Sequence, residues 1–296
     1  MTKLRLCVVL PTARPSNLVT ALKELLSLQP PPDDIILVVP KRMVVEAIKK
    51  IEKFRTGIHI ILLTEQHGLV EARNKAIVYA LRKSGCDLVW LFEDDVMVAH
   101  RDVVRVLKSE YNKYRAVNGC TVFYGREIPV SADEIKRPLH FILDENNSRS
   151  ISTFTNRICI AISNIFYGVH GFGGLPYKAP APTLVIAKEC FEECCLFDEV
   201  YNPIAEWSEP DFIVKVLRRG FKVLYIPKLV VKHYTKSRRF IKPSFQFKRV
   251  RNLVIYMVKN FIFTWPIRAL TATVILLSSY IFLMIPQLKH YRTSHE

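Results

Sequence analysis

The sequence predicts an α/β fold: a mostly parallel, Rossmann-like sheet flanked by helices, followed by C-terminal membrane-associated helices. Three observations predict it. Short runs of β-branched and apolar residues alternate with helical patterns through the first third of the chain. Three adjacent carboxylates, Glu93-Asp94-Asp95, directly follow one of these runs. The last third of the chain is basic and apolar.

The elements of the first third follow one another at the spacing of βαβ units. Arg5–Leu10 is typical of a buried strand, and Ser16 is placed to cap a helix whose leucines recur on one face. Because strands that alternate with helices pair in parallel, we expect ligands beyond the carboxyl ends of the strands. The remaining elements predicted here are strands at Ile35–Val39, Ile58–Leu63 and Leu88–Phe92, and helices over residues 42–53 and Val70–Lys83.

The second part of the chain is less regular. Residues 124–182 lose the periodicity and are rich in turn residues, so we expect long loops near the site. We expect the stretch Gly168–Gly174 to be one of them, a mobile loop near the acceptor. The elements predicted after these loops are a strand at Thr183–Ala187, a helix from near Ser208 and a last clear strand at Lys222–Ile226.

The net charge of +16 arises entirely after Asp211, where 17 Lys and Arg residues face a single acidic residue, Glu296. This asymmetry excludes a uniformly basic coat for nucleic acid and predicts a neutral domain followed by a basic, apolar tail. We set the boundary between the domain, residues 1–235, and the tail after residue 235. Residues 236–296 form a basic, amphipathic and hydrophobic tail. We expect the tail to bind an anionic membrane surface, and we expect no nucleic-acid partner.

One apolar segment suggests how the tail meets the membrane. Ala269–Leu288 has 20 residues without a charge, about the length of a bilayer-spanning helix. The sequence leaves open whether this segment spans the bilayer, lies in it, or belongs to a pair of buried core helices. The basic residues between Lys232 and Arg251 favour anionic lipid headgroups and the cytoplasmic side.

The seven cysteines show no zinc-type spacing, so we expect buried reduced thiols and a cytoplasmic catalytic domain. The apolar run before Pro11 is too short for a signal-peptide core.

The acidic triplet at the end of the fourth strand predicts a cation site. Adjacent carboxylates repel one another, and Mg²⁺ or Mn²⁺ bound by carboxylates completes its shell with diphosphate oxygens and water. A divalent cation there is suited to neutralise a diphosphate leaving group. The alternatives are a solvated acidic turn and an acidic cluster at a helix start, which the helix dipole would favour.

Six segments in order, between about residues 6 and 235, resemble the inverting family-2 glycosyltransferases, GT-A-fold enzymes that use nucleotide sugars. Each segment is weakly specific alone, and their shared order makes the resemblance specific. The segments are Val8–Arg14, Gly68–Ala76 with its Ala-Arg-Asn core, Glu93–Asp95, Leu196–Glu199, Trp207–Phe212 and Arg219–His233.

The resemblance implies a role for each matching residue. Around the donor, Pro11, Thr12 and Arg14 line the nucleotide pocket, Arg73 lies near it, and Asp94 contacts ribose or metal. Asp95 is the best metal ligand, and His233 contacts the metal or the diphosphate. Glu209 stands at the position of the general base, although Glu206 and Asp211 compete with it for that role. In this family an acidic residue at the end of the second strand usually contacts the nucleobase or ribose. Here Pro40 and Lys41 stand at that point, so the sequence does not predict which nucleobase the donor carries.

The implied function is metal-dependent, inverting transfer of a sugar from a nucleotide-diphosphate donor to a membrane-associated acceptor. That acceptor is a glycolipid, a lipid-linked glycan or a polyprenyl phosphate. A sugar hydroxyl needs a base, whereas a phosphate needs little help from one. A hydroxyl acceptor is favoured, because relatives that act on polyprenyl phosphate commonly carry more membrane helices than the one or two expected here.

Two other functions compete with this one. A sugar nucleotidyltransferase carries a glycine-rich loop after its first strand, and the turn Ala13–Ser16 has no glycine. A non-enzymatic basic protein that binds membrane surfaces or nucleic acid would account for the tail alone.

Overall fold

The computed structural model describes residues 4–54, 59–65, 68–118, 121–130, 181–234 and 243–262, together with residues 274 and 278. The expected loop Gly168–Gly174 lies outside these residues, as does Ala269–Leu288 except for Val274 and Ser278. The described chain belongs to two compact units, one of residues 1–135 and 179–235, the other of residues 136–178 and 236–296.

The first unit is built on an eight-stranded sheet of order β3-β2-β1-β4-β7-β6-β8-β5. Its first four strands pair in parallel, and all six residues of β1 are buried. These strands are β1 (Leu6–Pro11), β2 (Asp34–Pro40), β3 (His59–Glu65) and β4 (Leu88–Leu91). The helices between them are α1 (Pro15–Leu26), α2 (Val44–Ile51) and α3 (Leu69–Arg82). The predicted strands of this half are therefore confirmed to within about two residues.

The other half of the sheet is mixed. Its β7 runs antiparallel to both β4 and β6, and β5 runs antiparallel to β8, so the sheet departs from a fully parallel βαβ pattern here. Only four residues separate β4 from β5, which is too short for a parallel crossover. The strands are β5 (Val96–Val98), β6 (Thr121–Val130), β7 (Val185–Ala187) and β8 (Lys222–Tyr234). The helices are α4 (Val103–Asn118), α5 (Lys188–Cys194) and α6 (Ser208–Arg218).

Two corrections concern the strands β6 and β8, which pair in parallel. Residues 124–130 form part of β6 and are not a loop, and β8 continues past the expected end at Ile226 to Tyr234. The ladder is irregular where Tyr124 pairs with Tyr225 and Arg126 pairs with Val230. Pro227 lies in this bulge, so a strand that looks terminated in the sequence resumes after it.

Gly125 in β6 allows the backbone of β8 to pass close to it at this bulge. A Cβ atom built on Gly125 would lie only 1.8 Å from the carbonyl oxygen of Leu229. The backbone of β8 therefore approaches β6 at a distance that no side chain permits.

The cysteines differ from expectation. Cys7 in β1 and Cys86, just before β4, form a disulfide bond with their Cα atoms 5.9 Å apart. Cys190 is also disulfide-bonded, whereas Cys194 and Cys195 carry free thiols. The prediction of reduced thiols is therefore wrong for three of the five cysteines that the structure describes. Pairing of β1 with β4 brings Cys7 and Cys86 together across the sheet, which their spacing along the chain does not reveal.

The described part of the second unit is helical. It consists of α7 (Pro243–Met257) and a following π-helical turn, Val258–Ile262. Within the residues that the structure describes, no helix has both the length and the apolar character needed to cross a membrane.

The disulfide between Cys7 and Cys86 predicts a measurable contribution to stability. It closes a loop of 79 residues, which in the chain-entropy model stabilises the fold by about 4 kcal/mol. We expect Cys86→Ala to lower the free energy of urea unfolding by about that amount without reductant, and the difference from wild type to vanish in dithiothreitol. Cys195→Ala, which changes an exposed free thiol, is the matched control. A difference that persists in dithiothreitol would show that lost packing is responsible instead.

Candidate active site

A carboxylate pair and an imidazole meet where β4 ends. The Nε2 atom of His233 lies 3.2 Å from Asp95 Oδ1 and 3.5 Å from Glu93 Oε2. One ligand atom from each of these three residues lies within 4.8 Å of the others. Two carboxylates and an imidazole are a donor set suited to Mn²⁺ or Mg²⁺. The residues present therefore fit the divalent cation that the sequence predicts.

The sheet brings His233 to this point. Val96 in β5 pairs with His233 in β8, and the Tyr234 amide donates to the Asp95 carbonyl over 2.8 Å. The end of β8 therefore runs directly alongside the acidic segment. This contact depends on the continuation of β8 beyond its bulge.

Asp94 faces a different set of partners from its two neighbours. The Thr12 hydroxyl and the Arg14 guanidinium both donate to its carboxylate, which is buried. Arg14 also donates to Asp95 Oδ2 over 2.7 Å. The structure thus brings together Thr12, Arg14 and Asp94 just beyond Pro11, the last residue of β1. The sequence predicts that Asp94 contacts either the ribose or the metal. In the structure Glu93, and not Asp94, lies with Asp95 and His233.

Arg73 joins this cluster to the candidate base. Its side chain is 2 % exposed, and its guanidinium pairs with Glu209 Oε1 and, over 3.2 Å, with Glu93 Oε1. Glu209 is buried at the start of α6, where the Ser208 hydroxyl lies 3.2 Å from its other oxygen. Arg73 therefore holds the carboxylate of Glu209 at a defined place beside the acidic cluster.

The two other candidate bases, Asp211 and Glu206, do not form an ion pair with Arg73 among the described contacts. The fully buried Asp211 pairs with Lys215 over 3.3 Å. Glu206 is half-buried in the turn before α6. Of the three carboxylates, Glu209 is the one that the structure joins to the acidic cluster through Arg73.

Hydrogen bonds to α3 hold the segment that precedes α6 in place. Asn74 in α3 exchanges two hydrogen bonds with the backbone of Phe197, at 2.9 and 3.1 Å. Asn202 accepts from the Val70 amide over 3.1 Å and so caps α3. Trp207, just before α6, has a left-handed backbone with φ of 77°, which is rare for a bulky residue and typical of functional sites.

The pKa values of the cluster reflect its crowding. Burial alone lowers the pKa of His233, but hydrogen bonds to Asp95 and Glu127 and the charge of Glu93 outweigh it and raise this pKa to about 10. Burial raises the pKa of Glu93, an effect that Arg73 and His233 partly offset. Burial would also raise the pKa of Asp95, yet its contacts with His233 and Arg14 prevail and lower it.

Two participants were not assigned in advance. Glu93 is absent from the ligands that the resemblance implies, which are Asp95 and His233, yet its carboxylate lies 3.5 Å from His233 Nε2. Glu127, whose carboxylate lies 2.6 Å from His233 Nδ1, falls in the region predicted to be a loop.

No protein-family model matches the chain, and no curated protein sequence matches it. Solved structures do match. A mannosyltransferase from Pyrobaculum calidifontis, PcManGT in complex with GDP-Man and Mn²⁺, aligns with a TM-score of 0.59 and 15 % identity, covering 99 % of this chain and 80 % of that one.

Structures of S. aureus TarS match as well. The complex of TarS 1-349 with UDP-GlcNAc has a TM-score of 0.52 and 12 % identity, over 86 % of this chain and 66 % of that one. The complex with UDP has a TM-score of 0.50 and 11 % identity, over 85 % and 66 %.

The chain has a glycosyltransferase fold. At these identities the likeness establishes the fold alone. Within this glycosyltransferase fold, the cluster of Glu93, Asp95 and His233 lies beyond the carboxyl end of β4, where the parallel half of the sheet is expected to bind ligands.

The raised pKa of His233 predicts how the stability of the metal-free protein depends on pH. The pKa is about 10 when folded and about 6.5 when unfolded, so the folded state binds more protons between these values. The stabilisation is complete below about pH 6.5 and is lost as the pH rises towards 10. In EDTA, we expect the difference in unfolding free energy between wild type and His233→Asn to shrink from pH 6 to pH 9.5. A difference independent of pH over this range would contradict the assignment.

Proposed function

We propose that the protein is a divalent-cation-dependent, inverting glycosyltransferase of the family-2 type, which moves a sugar from a nucleotide-diphosphate donor to a membrane-associated acceptor. The observation that carries the proposal is the meeting of Glu93, Asp95 and His233 beside Arg14, on a glycosyltransferase fold. The ligands printed for the neighbours, GDP-Man with Mn²⁺ and UDP-GlcNAc, support a nucleotide-sugar donor.

The donor side is assigned to the residues around Asp94. Thr12 and Arg14 lie just beyond the end of β1, and the guanidinium of Arg14 bridges Asp94 and Asp95. A guanidinium here is placed to meet the negative charge of a diphosphate. The cation, Mg²⁺ or Mn²⁺, would be held by Glu93, Asp95 and His233. When bound, it supplies positive charge that stabilises the departing nucleoside diphosphate.

The acceptor side is assigned to Glu209. Its carboxylate accepts the proton that the acceptor hydroxyl loses as that hydroxyl attacks the anomeric carbon. Because attack and departure take place on opposite faces of the sugar, a single displacement inverts the anomeric centre. Arg73 positions the carboxylate and separates it from the charge of Glu93. Burial of both side chains excludes water that would compete for the proton.

A membrane-associated acceptor is proposed from the tail, whose basic residues favour the cytoplasmic face of a membrane. The disulfides remove the other ground for that side, the reduced thiols. On α7, Phe247 is 72 % exposed and Val254 37 %, and they are seven residues apart, on one face of the helix. Arg251 is exposed on the same helix. Apolar side chains with interspersed basic residues are typical of a helix that lies in an anionic lipid interface.

The decisive experiment measures nucleoside diphosphate release from a panel of UDP-, GDP- and dTDP-sugars with Mn²⁺. We expect wild type to release the diphosphate from at least one donor, and Asp95→Asn to lower the rate by at least about 100-fold, because it removes one anionic ligand. Asp102→Asn, at an exposed carboxylate paired with Lys228, is the control and keeps the wild-type rate. Full activity of Asp95→Asn would refute the metal site, and no release from any donor would refute the function.

Glu209 predicts a separate loss. Glu209→Gln keeps a side-chain oxygen for Arg73 but cannot take a proton, so we expect transfer to fall about 10²- to 10⁴-fold while the donor still binds. Isothermal titration with the nucleotide sugar and Mn²⁺ checks donor binding, and product formation checks transfer. Asp211→Asn tests the rival base. A greater loss of transfer in folded Asp211→Asn than in Glu209→Gln would reassign the role.

A further inference from the structure

We propose that Glu127 is a positioning residue for the cation site: its carboxylate holds the His233 ring so that Nε2 faces the metal. The inference rests on the proposed function and deepens it, because it adds a residue that supports the ligand set. Glu127 Oε1 lies 2.6 Å from His233 Nδ1, while Nε2 of the same ring lies 3.2 Å from Asp95 Oδ1. The two ring nitrogens therefore serve two different partners.

The chemistry of the ring determines what this contact does. A carboxylate accepts hydrogen bonds, so Nδ1 is the nitrogen that keeps its proton beside Glu127. Nε2 is then the nitrogen that would release its proton and offer its lone pair when a cation binds. Histidines that bind metals almost always donate their other N–H to a carboxylate or carbonyl, which fixes the tautomer and the ring orientation. Glu127 supplies that acceptor here.

The sheet explains why Glu127 is in reach. Glu127 in β6 pairs with Val231 in β8, and Pro129 pairs with His233. Residues two apart on a strand share a face, so Glu127 and His233 lie diagonally on the same face of the parallel pair. Among the described residues, no Lys or Arg forms an ion pair with Glu127. Its charge therefore has His233 as its cationic partner.

Mn²⁺ affinity tests the inference without any turnover. Electron paramagnetic resonance of free Mn²⁺ gives the dissociation constant for wild type, Glu127→Ala and Glu127→Gln. We expect Glu127→Ala to weaken Mn²⁺ binding about 10- to 100-fold. Glu127→Gln keeps an oxygen that accepts from Nδ1–H, so we expect it to restore most of the affinity. Glu46→Ala, at an exposed carboxylate on α2, is the control with wild-type affinity.

A spectroscopic readout separates positioning from mere folding. With ¹⁵N-labelled histidine and diamagnetic Mg²⁺, we expect wild-type His233 to carry its proton on Nδ1, and Glu127→Ala to lose that single tautomer. Equal Mn²⁺ affinities of wild type and a folded Glu127→Ala would overturn this inference alone. Absence of Mn²⁺ binding to wild type would overturn the proposed metal centre and this inference with it.

Discussion

Mutual repulsion of carboxylates is the constraint around which the site is organised. Five acidic side chains converge beyond the end of β4, and three cationic groups interleave them. The acids are Glu93, Asp94, Asp95, Glu127 and Glu209, and the cations are Arg14, Arg73 and His233. Each cation bridges at least two acids, so none of the acids stands without a counter-charge. The remaining negative charge is what makes a divalent cation a fitting addition.

In this arrangement the neighbouring carboxylates of residues 93–95 have different partners. The carboxylate of Asp94 meets Thr12 and Arg14, whereas those of Glu93 and Asp95 meet His233. On the proposed function, the segment therefore offers one carboxylate to the nucleotide side and two to the cation side. Arg73 then joins the cation side to Glu209. The residues to which we assign the leaving group and the acceptor thus belong to one connected network of ion pairs, in a partly buried region where such interactions are strong.

The sequence predicts the parallel half of this protein well, because strands β1 to β4 are continuous apolar runs bounded by clear helical patterns. It predicts less of the second half. Gly125 and Pro129 make β6 resemble a loop, and Pro227 hides the continuation of β8, since both residue types normally interrupt strands. The residues of the site were mostly named in advance through their motifs. Glu127 was not, because its partnership with His233 exists only across the β6–β8 ladder.

The close approach at Gly125 has a consequence for interpreting variants. A single methyl group at this position would meet the Leu229 carbonyl and force the two strands apart, four residues before His233. Gly125 touches no member of the candidate cation site, yet it determines whether His233 can reach that site. Weaker cation binding by a Gly125 variant would therefore report on the path of the backbone, and it would be a mistake to infer direct coordination from it.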